Sequence, residues 1–221
     1  MIDLALDYHA HVLPGCDHGS DSLETSLAQL RMAHAAGIAT VCATPHFYPQ
    51  REGVESFLER RWRSYSELRP HLAESRVGVM LGAEVLICDG MDHMPGLTML
   101  CREGTRELLL EMPFYDWPKP ILRTLYRLLE RDDISVVLAH ADRYPTTQIE
   151  KLGERGVELQ LNAESLACHL LRRRCLLGWI KNGWVKYLGS DIHMLGENYE
   201  YWVKSSKLII ARASQSLRDS R

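Results

Sequence analysis

The sequence has few of the features that mark secreted, membrane or disulfide-stabilised proteins. No apolar run reaches the roughly 20 residues that a membrane-spanning helix needs. The opening residues, MIDLALDYHAH, lack the basic and apolar segments of a signal peptide. The six cysteines are scattered without a Cys-x-x-Cys pair, which favours reduced thiols over a disulfide framework. We therefore expect a cytoplasmic protein with no membrane span.

An excess of positive charge is also lacking. The net charge is −3 and no basic stripe is present, so we expect no nucleic-acid partner and disfavour a nuclease. Internal repeats, low-complexity tracts and linkers are absent from the sequence. The 221 residues, 46% of them hydrophobic, suit one domain over residues 1–221 with a large core.

Short apolar runs alternate with longer amphipathic stretches along the whole chain. The predicted strands are Leu4–Tyr8, Ala39–Thr44, Val77–Gly82, Glu107–Leu110, Ile134–Ala139, Val157–Leu161 and Val185–Gly189. The predicted helices are Ser22–Ala36, Val54–Leu72, Pro118–Arg131, Thr146–Arg155, Leu166–Lys181 and Glu197–Leu217. Only Leu86–Arg102 shows no clear pattern. This alternation predicts an α/β fold with parallel strands, either a closed barrel or an open doubly wound sheet.

Histidines and carboxylates gather just after the predicted strands. They are His9, His11, His46, Glu84, Glu111, His140, Asp191 and His193. Because the carboxyl ends of parallel strands lie on one face, these side chains should meet there. Single residues of this kind are usually structural or solvated, but eight of them at six strand ends predict a metal centre.

The spacing and number of these residues indicate more than one metal ion. His9 and His11 are two positions apart, so both point to the same side of a strand, and Asp191 and His193 repeat that spacing. Mixed imidazole and carboxylate ligands suit Zn, Mn or Fe. Four other histidines, His34, His71, His93 and His169, lie away from strand ends and are not expected to bind metal.

The motifs DYHAHVLPG, ATPHF, GAE, LLLEMPF, LAHADRY and GSDIH resemble the PHP (polymerase and histidinol phosphatase) superfamily, over Ile2 to about Leu195. Within it, the LPG, ATPH and AHxxRY elements are similar to the bacterial capsule and exopolysaccharide tyrosine phosphatases. The resemblance implies a distorted (β/α)7 barrel with three divalent metal ions (Mn, Fe or Zn) at the C-terminal mouth of the strands. It implies a metal-dependent protein-tyrosine phosphatase that acts on an autophosphorylating tyrosine kinase of capsule or exopolysaccharide synthesis.

The same resemblance groups the ligands. It assigns His9, His11, Glu84 and Asp191 to one metal, Glu84, Glu111 and His140 to a second, and His46 and His193 to a third. The third metal also takes a ligand from the loop after the first two histidines, where relatives usually have Asp-Asp-Gly and this chain has Asp17-His18-Gly19. Either Asp17 or His18 fills that role, and the sequence does not decide between them.

Arg143 follows His140 by three residues and is expected to neutralise phosphate oxygens as a bidentate guanidinium. The alternative for Arg143 is a structural salt bridge. His140 and Asp191 are expected to be essential for turnover. Asp142 or a water bound to the metals are the candidates for a general acid.

The residues expected to touch substrate depart from the capsule enzymes. Phe47-Tyr48-Pro49 precedes Arg51 after ATPH, and Met194-Leu195-Gly196-Glu197 follows GSDIH. A small-molecule phosphatase, acting on histidinol phosphate or a sugar phosphate, is therefore the alternative, and a non-catalytic PHP module is a further one. Cys168 and Arg174 match the Cys-x5-Arg pattern of cysteine phosphatases, but the intervening residues include no glycine, so we interpret the match as chance. Oligomeric state is left open.

Overall fold

The computed structural model describes residues 2–114 and 117–219. Within them the strands are β1 Leu6–Ala10, β2 Thr40–Ala43, β3 His46–Phe47, β4 Gly78–Leu81, β5 Glu84–Leu86, β6 Glu107–Glu111, β7 Ser135–Leu138, β8 Glu158–Asn162 and β9 Val185–Gly189. The α-helices are α1 Leu23–Ala35, α2 Val54–Leu68, α3 Leu72–Ser75, α4 Lys119–Leu129, α5 Thr146–Glu154, α6 Ala163–Cys168, α7 Leu170–Lys181 and α8 Asn198–Asp219. Short 3-10 turns cover Arg69–His71, Met91–His93, Leu97–Leu100 and Ala141–Arg143.

All paired strands are parallel and follow one another in chain order. One sheet has the order β1-β2-β4 and the other the order β3-β5-β6-β7-β8-β9. Only two residues separate β2 from β3 and β4 from β5, so each pair acts as one bent strand shared by both sheets. The backbone N–H of Asp191 donates to His9 O at 2.8 Å, and that of His11 donates to Ile192 O at 2.9 Å. Hydrogen bonds therefore link the segment after β9 to β1, and we call the resulting arrangement of strands the ring. The predicted parallel α/β fold is confirmed.

Local sequence features explain where the strands and helices lie. Strand β6, with the sequence ELLLE, is buried along its whole length between its neighbours β5 and β7. Helix α1 begins after Ser22, whose hydroxyl accepts a hydrogen bond from Thr25 N, as expected of an N-cap. It ends before Gly37, which adopts a left-handed φ of 86°. The seven predicted strands and five of the six predicted helices are present with small shifts at their ends.

The exception is the predicted helix Leu166–Lys181, which the structure divides into α6 and α7. His169 leaves the helical region with φ −86° and ψ 78°. Arg173 donates from Nε to Leu166 O at 2.9 Å, so its side chain satisfies a carbonyl group that the break releases. The Cys168–Arg174 motif therefore crosses a helix boundary and forms no phosphate loop.

Aromatic side chains fill the N-terminal end of the ring. The rings of Tyr8 and Tyr187 stack with their centroids 3.8 Å apart. Their hydroxyl groups donate to the two carboxylate oxygens of Glu107, at 3.2 and 2.5 Å. Leu109 and Val137 pack beside them inside the ring. This packing closes one end of the ring and leaves the opposite, C-terminal end for polar side chains.

Helix α8 packs against the ring rather than extending from it. Trp202 and Ile209 are buried, and Ser205 donates a hydrogen bond to Ala163 O at 2.6 Å. Among the described helices, none is both long enough and apolar enough to cross a lipid bilayer.

Candidate metal centre

The polar residues predicted at strand ends converge at the C-terminal end of the ring. His9 lies in β1 and His11 follows it; His46 begins β3, Glu84 begins β5, Glu111 ends β6, His140 follows β7, and Asp191 and His193 follow β9. All except His193, which is half-buried, are shielded from solvent. The convergence arises because each parallel strand delivers its last residues to the same face of the ring.

Glu84 lies at the centre of this group. Its Oε2 atom is 3.2 Å from His9 Nε2, 3.3 Å from His11 Nε2 and 3.0 Å from His46 Nδ1. Its Oε1 atom is 2.8 Å from His140 Nε2. Burial alone would raise the pKa of Glu84, but the surrounding imidazoles, with His9 first, hold that pKa well below its usual range. Four histidine side chains from three strand positions, at β1, β3 and β7, thus face one carboxylate.

Asp191 and Glu111 extend the group on either side of Glu84. Asp191 Oδ1 is 3.5 Å from the Nε2 atoms of both His9 and His11. Glu111 Oε1 is 3.6 Å from His140 Nε2, and burial together with the charge of Glu84 raises the pKa of Glu111 to about 7. Buried acids that share the same imidazole neighbours repel one another unless protons or cations lie between them.

Unsatisfied polar atoms indicate that cations fit here. His46 Nδ1 and Glu84 Oε2 lie 3.0 Å apart but are not aligned for a hydrogen bond, and neither buried atom has another partner among the described residues. Ligand atoms in three sets of residues lie within 4.8 Å of one another. The sets are His9, His11 and Glu84; His46, Glu84 and Glu111; and His11, His46 and His193. Imidazole nitrogens and carboxylate oxygens in overlapping sets suit adjacent Zn, Mn or Fe ions.

The Asp17-His18-Gly19 loop contributes in two different ways. Asp17 Oδ2 accepts hydrogen bonds from His11 Nδ1 at 2.8 Å and from the backbone N–H of His46 at 2.9 Å, and Oδ1 accepts one from Gly19 N at 2.9 Å. The Asp17 carboxylate is therefore committed to holding His11 and the loop. His18 is exposed, with its ring centroid 4.5 Å from that of His46 and 4.7 Å from that of His193. Of the two candidates, His18 is the one next to the His46–His193 pair, and its ring makes no hydrogen bond to the part of the chain that the structure describes.

Arg143 and Asp142 lie side by side but face different partners. Arg143 Nη2 donates to Asp191 Oδ2 at 2.6 Å, and 41% of its side chain is exposed. Asp142 is buried, and its two oxygens accept hydrogen bonds from Asn162 N at 2.8 Å and Ser165 Oγ at 2.6 Å. Asp142 thus anchors the start of α6. Because both of its carboxylate oxygens accept hydrogen bonds there, the geometry does not favour Asp142 as the general acid.

Three residues that the sequence did not identify contact predicted ligands and hold them in place. Gln160 Oε1 lies 3.2 Å from His9 Nδ1, Asn162 Nδ2 donates to Asp191 Oδ2 at 2.9 Å, and Tyr144 Oη lies 3.2 Å from His140 Nδ1. Gln160 and Asn162 alternate with Leu159 and Leu161 on β8, and that polar alternation within an apolar strand was the available signal.

The rim of the centre carries aromatic and apolar side chains. The Phe114 ring lies 5.7 Å from that of His140 and is 51% exposed. The Tyr48 ring lies 5.3 Å from that of His46, with the Arg51 guanidinium 4.6 Å above it. Met194 is exposed beyond His193. The substitutions that set this chain apart after ATPH and GSDIH therefore lie at the opening of the centre.

The four other histidines lie outside the candidate centre. His34 is exposed on α1, and His93 faces Asp92 in a 3-10 turn, with its Nε2 atom 3.1 Å from a carboxylate oxygen. His71 lies in another 3-10 turn, and His169 lies at the break between α6 and α7.

Comparisons with known proteins identify relatives of this chain. A family model described as "Capsular polysaccharide synthesis, CpsB/CapC" matches residues 5–218. The tyrosine-protein phosphatase YwqE of Bacillus subtilis is 27% identical over 168 residues, which are 73% of this chain and 66% of the relative. The chain thus matches just under two thirds of that relative's length.

Two solved structures share the fold. One, from a study of YwqE of Bacillus subtilis and CpsB of Streptococcus pneumoniae as metal-dependent tyrosine phosphatases, has a TM-score of 0.75 and 22% identity, covering 93% of this chain and 85% of that one. The other is a TatD-like protein of Archaeoglobus fulgidus, with a TM-score of 0.55 and 14% identity, covering 92% of this chain and 91% of that one.

Proposed function

The chain belongs to the CpsB/CapC family of capsular polysaccharide synthesis proteins, and on that premise we propose that it is a metal-dependent protein-tyrosine phosphatase. The observation that carries the proposal is the environment of Glu84, a buried carboxylate within 3.3 Å of four histidine nitrogens and with one oxygen lacking a hydrogen bond. A site of this kind suits adjacent divalent cations, which can activate water for the hydrolysis of a phosphate ester. The names of the relatives, tyrosine phosphatases in both cases, support the choice of reaction.

We propose three groups of ligands, drawn from the predicted set. His9, His11, Glu84 and Asp191 would hold one cation; Glu84, Glu111 and His140 a second; and His18, His46 and His193 a third. When bound, such cations supply an activated water at neutral pH and neutralise charge on phosphate oxygens. Mn, Fe and Zn all accept this ligand chemistry.

The protein's own side chains would orient the substrate. Arg143 uses one N–H group on Asp191, and its guanidinium makes no other hydrogen bond within residues 2–114 and 117–219. A guanidinium offers five donors in a planar fork, so the remaining donors can engage phosphate while Asp191 fixes the side chain. Arg143 is therefore proposed to bind the phosphate and to stabilise its charge during transfer.

The aromatic rim supports an aryl substrate. At the opening, Phe114 lies beside His140 and Tyr48 lies beside His46, where the ring of a phosphotyrosine would lie. Aromatic pairs stabilise such contacts by about 0.5–1.5 kcal/mol beyond the area they bury. A phenolate is also a good leaving group, so its departure requires little help from a general acid. This fits a site in which the Asp142 carboxylate is fully engaged elsewhere.

The test is a substrate panel with the metal-reconstituted protein. We expect kcat/KM for a phosphotyrosine peptide to exceed that for histidinol phosphate or a sugar phosphate by at least tenfold. His140→Ala and Asp191→Ala should remove nearly all turnover while circular dichroism shows a retained fold. Cys168→Ser is the matched control and should leave turnover unchanged, because Cys168 is exposed on α6 outside the centre. A preference for the small substrates would favour the small-molecule phosphatase instead, and a metal-loaded protein inert on all of them would favour a non-catalytic module.

The proposal extends to partner and place. An autophosphorylating tyrosine kinase of capsule or exopolysaccharide synthesis is the proposed substrate, in the cytoplasm, because the family is described by capsular polysaccharide synthesis. Dephosphorylation of the purified kinase by the wild-type protein, and not by Asp191→Ala, is the corresponding measurement.

A further inference from the structure

Strand β8 differs from the other strand positions of the described ring because none of the predicted metal ligands lies on it. Its two side chains that face the centre are Gln160 and Asn162, which are 0% and 3% exposed. Neutral amides are costly to bury unless their hydrogen bonds are made, so their partners define what they do.

The orientation of the Gln160 amide is fixed by a backbone group. The N–H of His140 lies 2.7 Å from Gln160 Oε1, and because a backbone N–H can only donate, the atom facing it must be the carbonyl oxygen. The same oxygen lies 3.2 Å from His9 Nδ1. His9 must therefore carry a proton on Nδ1, so Nε2, which is directed at Glu84 Oε2, is the nitrogen left to coordinate a cation.

The hydrogen bonds continue from Gln160 to the far side of the centre. Gln160 Nε2 donates to Asn162 Oδ1 at 3.0 Å, and Asn162 Nδ2 donates to Asp191 Oδ2 at 2.9 Å. The donor and acceptor roles of both amides are thus set in one direction, from the backbone of His140 to the carboxylate of Asp191. The Gln160–Asn162 pair connects residues from β1, from the loop after β7 and from the loop after β9.

Two of the residues held by this pair have strained backbones. His140 has a φ of 32° and Asp191 a φ of 52°, and among the described residues only Arg76 is a third non-glycine residue with a positive φ. Such conformations cost free energy and persist only where surrounding contacts impose them. The Gln160–Asn162 pair bonds the backbone of His140 and the side chain of Asp191, so it acts directly on both strained positions.

We infer that Gln160 and Asn162 are positioning residues that hold His9, His140 and Asp191 in the protonation state and geometry required to bind metal. The inference rests on the proposed metal-dependent function. Partners of this kind typically change metal affinity by about 10- to 100-fold when they are removed. The amide pair touches no substrate in this role, and its effect is exerted before any substrate binds.

The experiment measures metal affinity without substrate, by competition with a coloured chelator. Gln160→Leu keeps the size of the side chain and removes both amide groups; we expect it to bind the first two equivalents of Zn²⁺ or Mn²⁺ at least tenfold more weakly than wild type. Gln160→Glu keeps an oxygen acceptor for His9 and His140 but loses the donor to Asn162. Its metal affinity should therefore lie between those of wild type and Gln160→Leu. Leu161→Ala is the control, since Leu161 is buried on the opposite face of β8. It should lower the unfolding temperature but leave metal affinity within twofold of wild type.

A readout in the wild-type protein removes any dependence on how the variants fold. In the zinc-loaded protein, long-range ¹H–¹⁵N correlation spectra should show His9 protonated at Nδ1 and coordinated through Nε2. Zinc on His9 Nδ1, or a folded Gln160→Leu with wild-type affinity, overturns the inference. A wild-type protein that binds metal as expected but hydrolyses no phosphate ester would overturn the proposed function and leave the positioning role intact, whereas a wild-type protein that binds no divalent cation would overturn both.

Discussion

At the scale of single residues, Asp7 is a buried acid that the proposed chemistry does not use. Its Oδ1 atom accepts hydrogen bonds from Ser190 N at 2.9 Å and His9 N at 3.3 Å, and its Oδ2 atom accepts one from Tyr199 Oη at 3.0 Å. Complete burial nevertheless raises the pKa of Asp7 from 3.8 to about 6, because removing the carboxylate from water outweighs these bonds. Asp7 thus joins β1, the segment after β9 and α8 at a position sensitive to pH.

The raised pKa predicts a stability that falls as Asp7 ionises. The folded protein binds this proton more tightly than the unfolded chain, so the contribution is complete below pH 3.8 and is lost as the pH rises through about 6. A shift of that size corresponds to about 3 kcal/mol. Asn cannot titrate, so the unfolding free energy of wild type minus that of Asp7→Asn should decrease by that order between pH 4 and 7. Urea unfolding of the metal-free proteins measures it; a difference that stays constant with pH would contradict the assignment.

His18 is the residue at which this chain departs from the Asp-Asp-Gly loop, and it should affect which metal is bound. Imidazole favours Zn²⁺, whereas carboxylate oxygen favours Mn²⁺. We expect His18→Asp to lower the ratio of bound Zn to bound Mn at one of the proposed sites by tenfold or more. Elemental analysis after dialysis against an equimolar mixture of the two ions gives the ratio. His34→Asp, a substitution on the exposed face of α1, is the control, and equal metal contents in both variants would exclude His18 as a ligand.

At the scale of elements, strands β1, β8 and β9 approach one another closely at Gly189. A Cβ atom on Gly189 would lie 2.5 Å from Gln160 Nε2 and 2.7 Å from His9 Cβ. Neither neighbour is free to move, because Gln160 is bonded to His140 and Asn162 while His9 is part of β1. The small residue at the end of β9 is thus required for the side chains of the centre to fit.

Gly189→Ala should therefore destabilise the protein by about 1–3 kcal/mol, the usual cost of overpacking a filled interior. Gly178→Ala is the matched control, because Gly178 lies within α7 with no atom near its Cβ position. An alanine there should stabilise the protein by about 0.5–1 kcal/mol. Equilibrium unfolding in urea measures both variants. If Gly189→Ala were as stable as wild type, the conclusion that β8 and β9 leave no room for a methyl group at Gly189 would be wrong.

Most elements could be predicted from the sequence because apolar runs and amphipathic stretches alternate clearly. What could not be predicted depends on bends and on side-chain contacts that the hydrophobic pattern does not show. Strands β3 and β5 are short and follow bends at Thr44-Pro45 and Gly82-Ala83, so no apolar run marks them. The break at His169 depends on Arg173 satisfying a carbonyl group of α6, which the leucine-rich pattern does not reveal.

The centre shows the same division. Histidines and acids at strand ends are recognisable as candidate ligands because their chemistry is specific and parallel strands bring them together. Gln160 and Asn162 are not recognisable in this way, because amides occur widely in proteins and only the fold gives these two their partners. The ligand from the loop could be narrowed to Asp17 or His18 from the sequence. The contacts of Asp17 with His11 and His46 become visible only in the three-dimensional structure.

At the scale of the whole molecule, the ring gathers charges that could not otherwise be buried together. Glu84, Glu111 and Asp191 come from β5, from β6 and from the segment after β9, and all three are buried. Closing the ring brings their carboxylates and five imidazoles into one volume, which is unfavourable until positive charge balances them. Folding and cation binding should therefore be coupled, with the metal-loaded protein the more stable form.

This coupling predicts that removing metal lowers the unfolding temperature. A cation present at 100 times its dissociation constant stabilises the folded state by about 2.7 kcal/mol. For a chain of this length that corresponds to roughly 5–10 °C per strongly bound ion. Differential scanning calorimetry of the chelated and the Zn²⁺- or Mn²⁺-loaded protein measures the shift. Glu84→Gln, which removes the central charge, should reduce the shift to below about 2 °C on the same scale. Glu59→Gln on the exposed face of α2 should retain it, and a full shift in Glu84→Gln would mean that the stabilising cations bind elsewhere on the molecule.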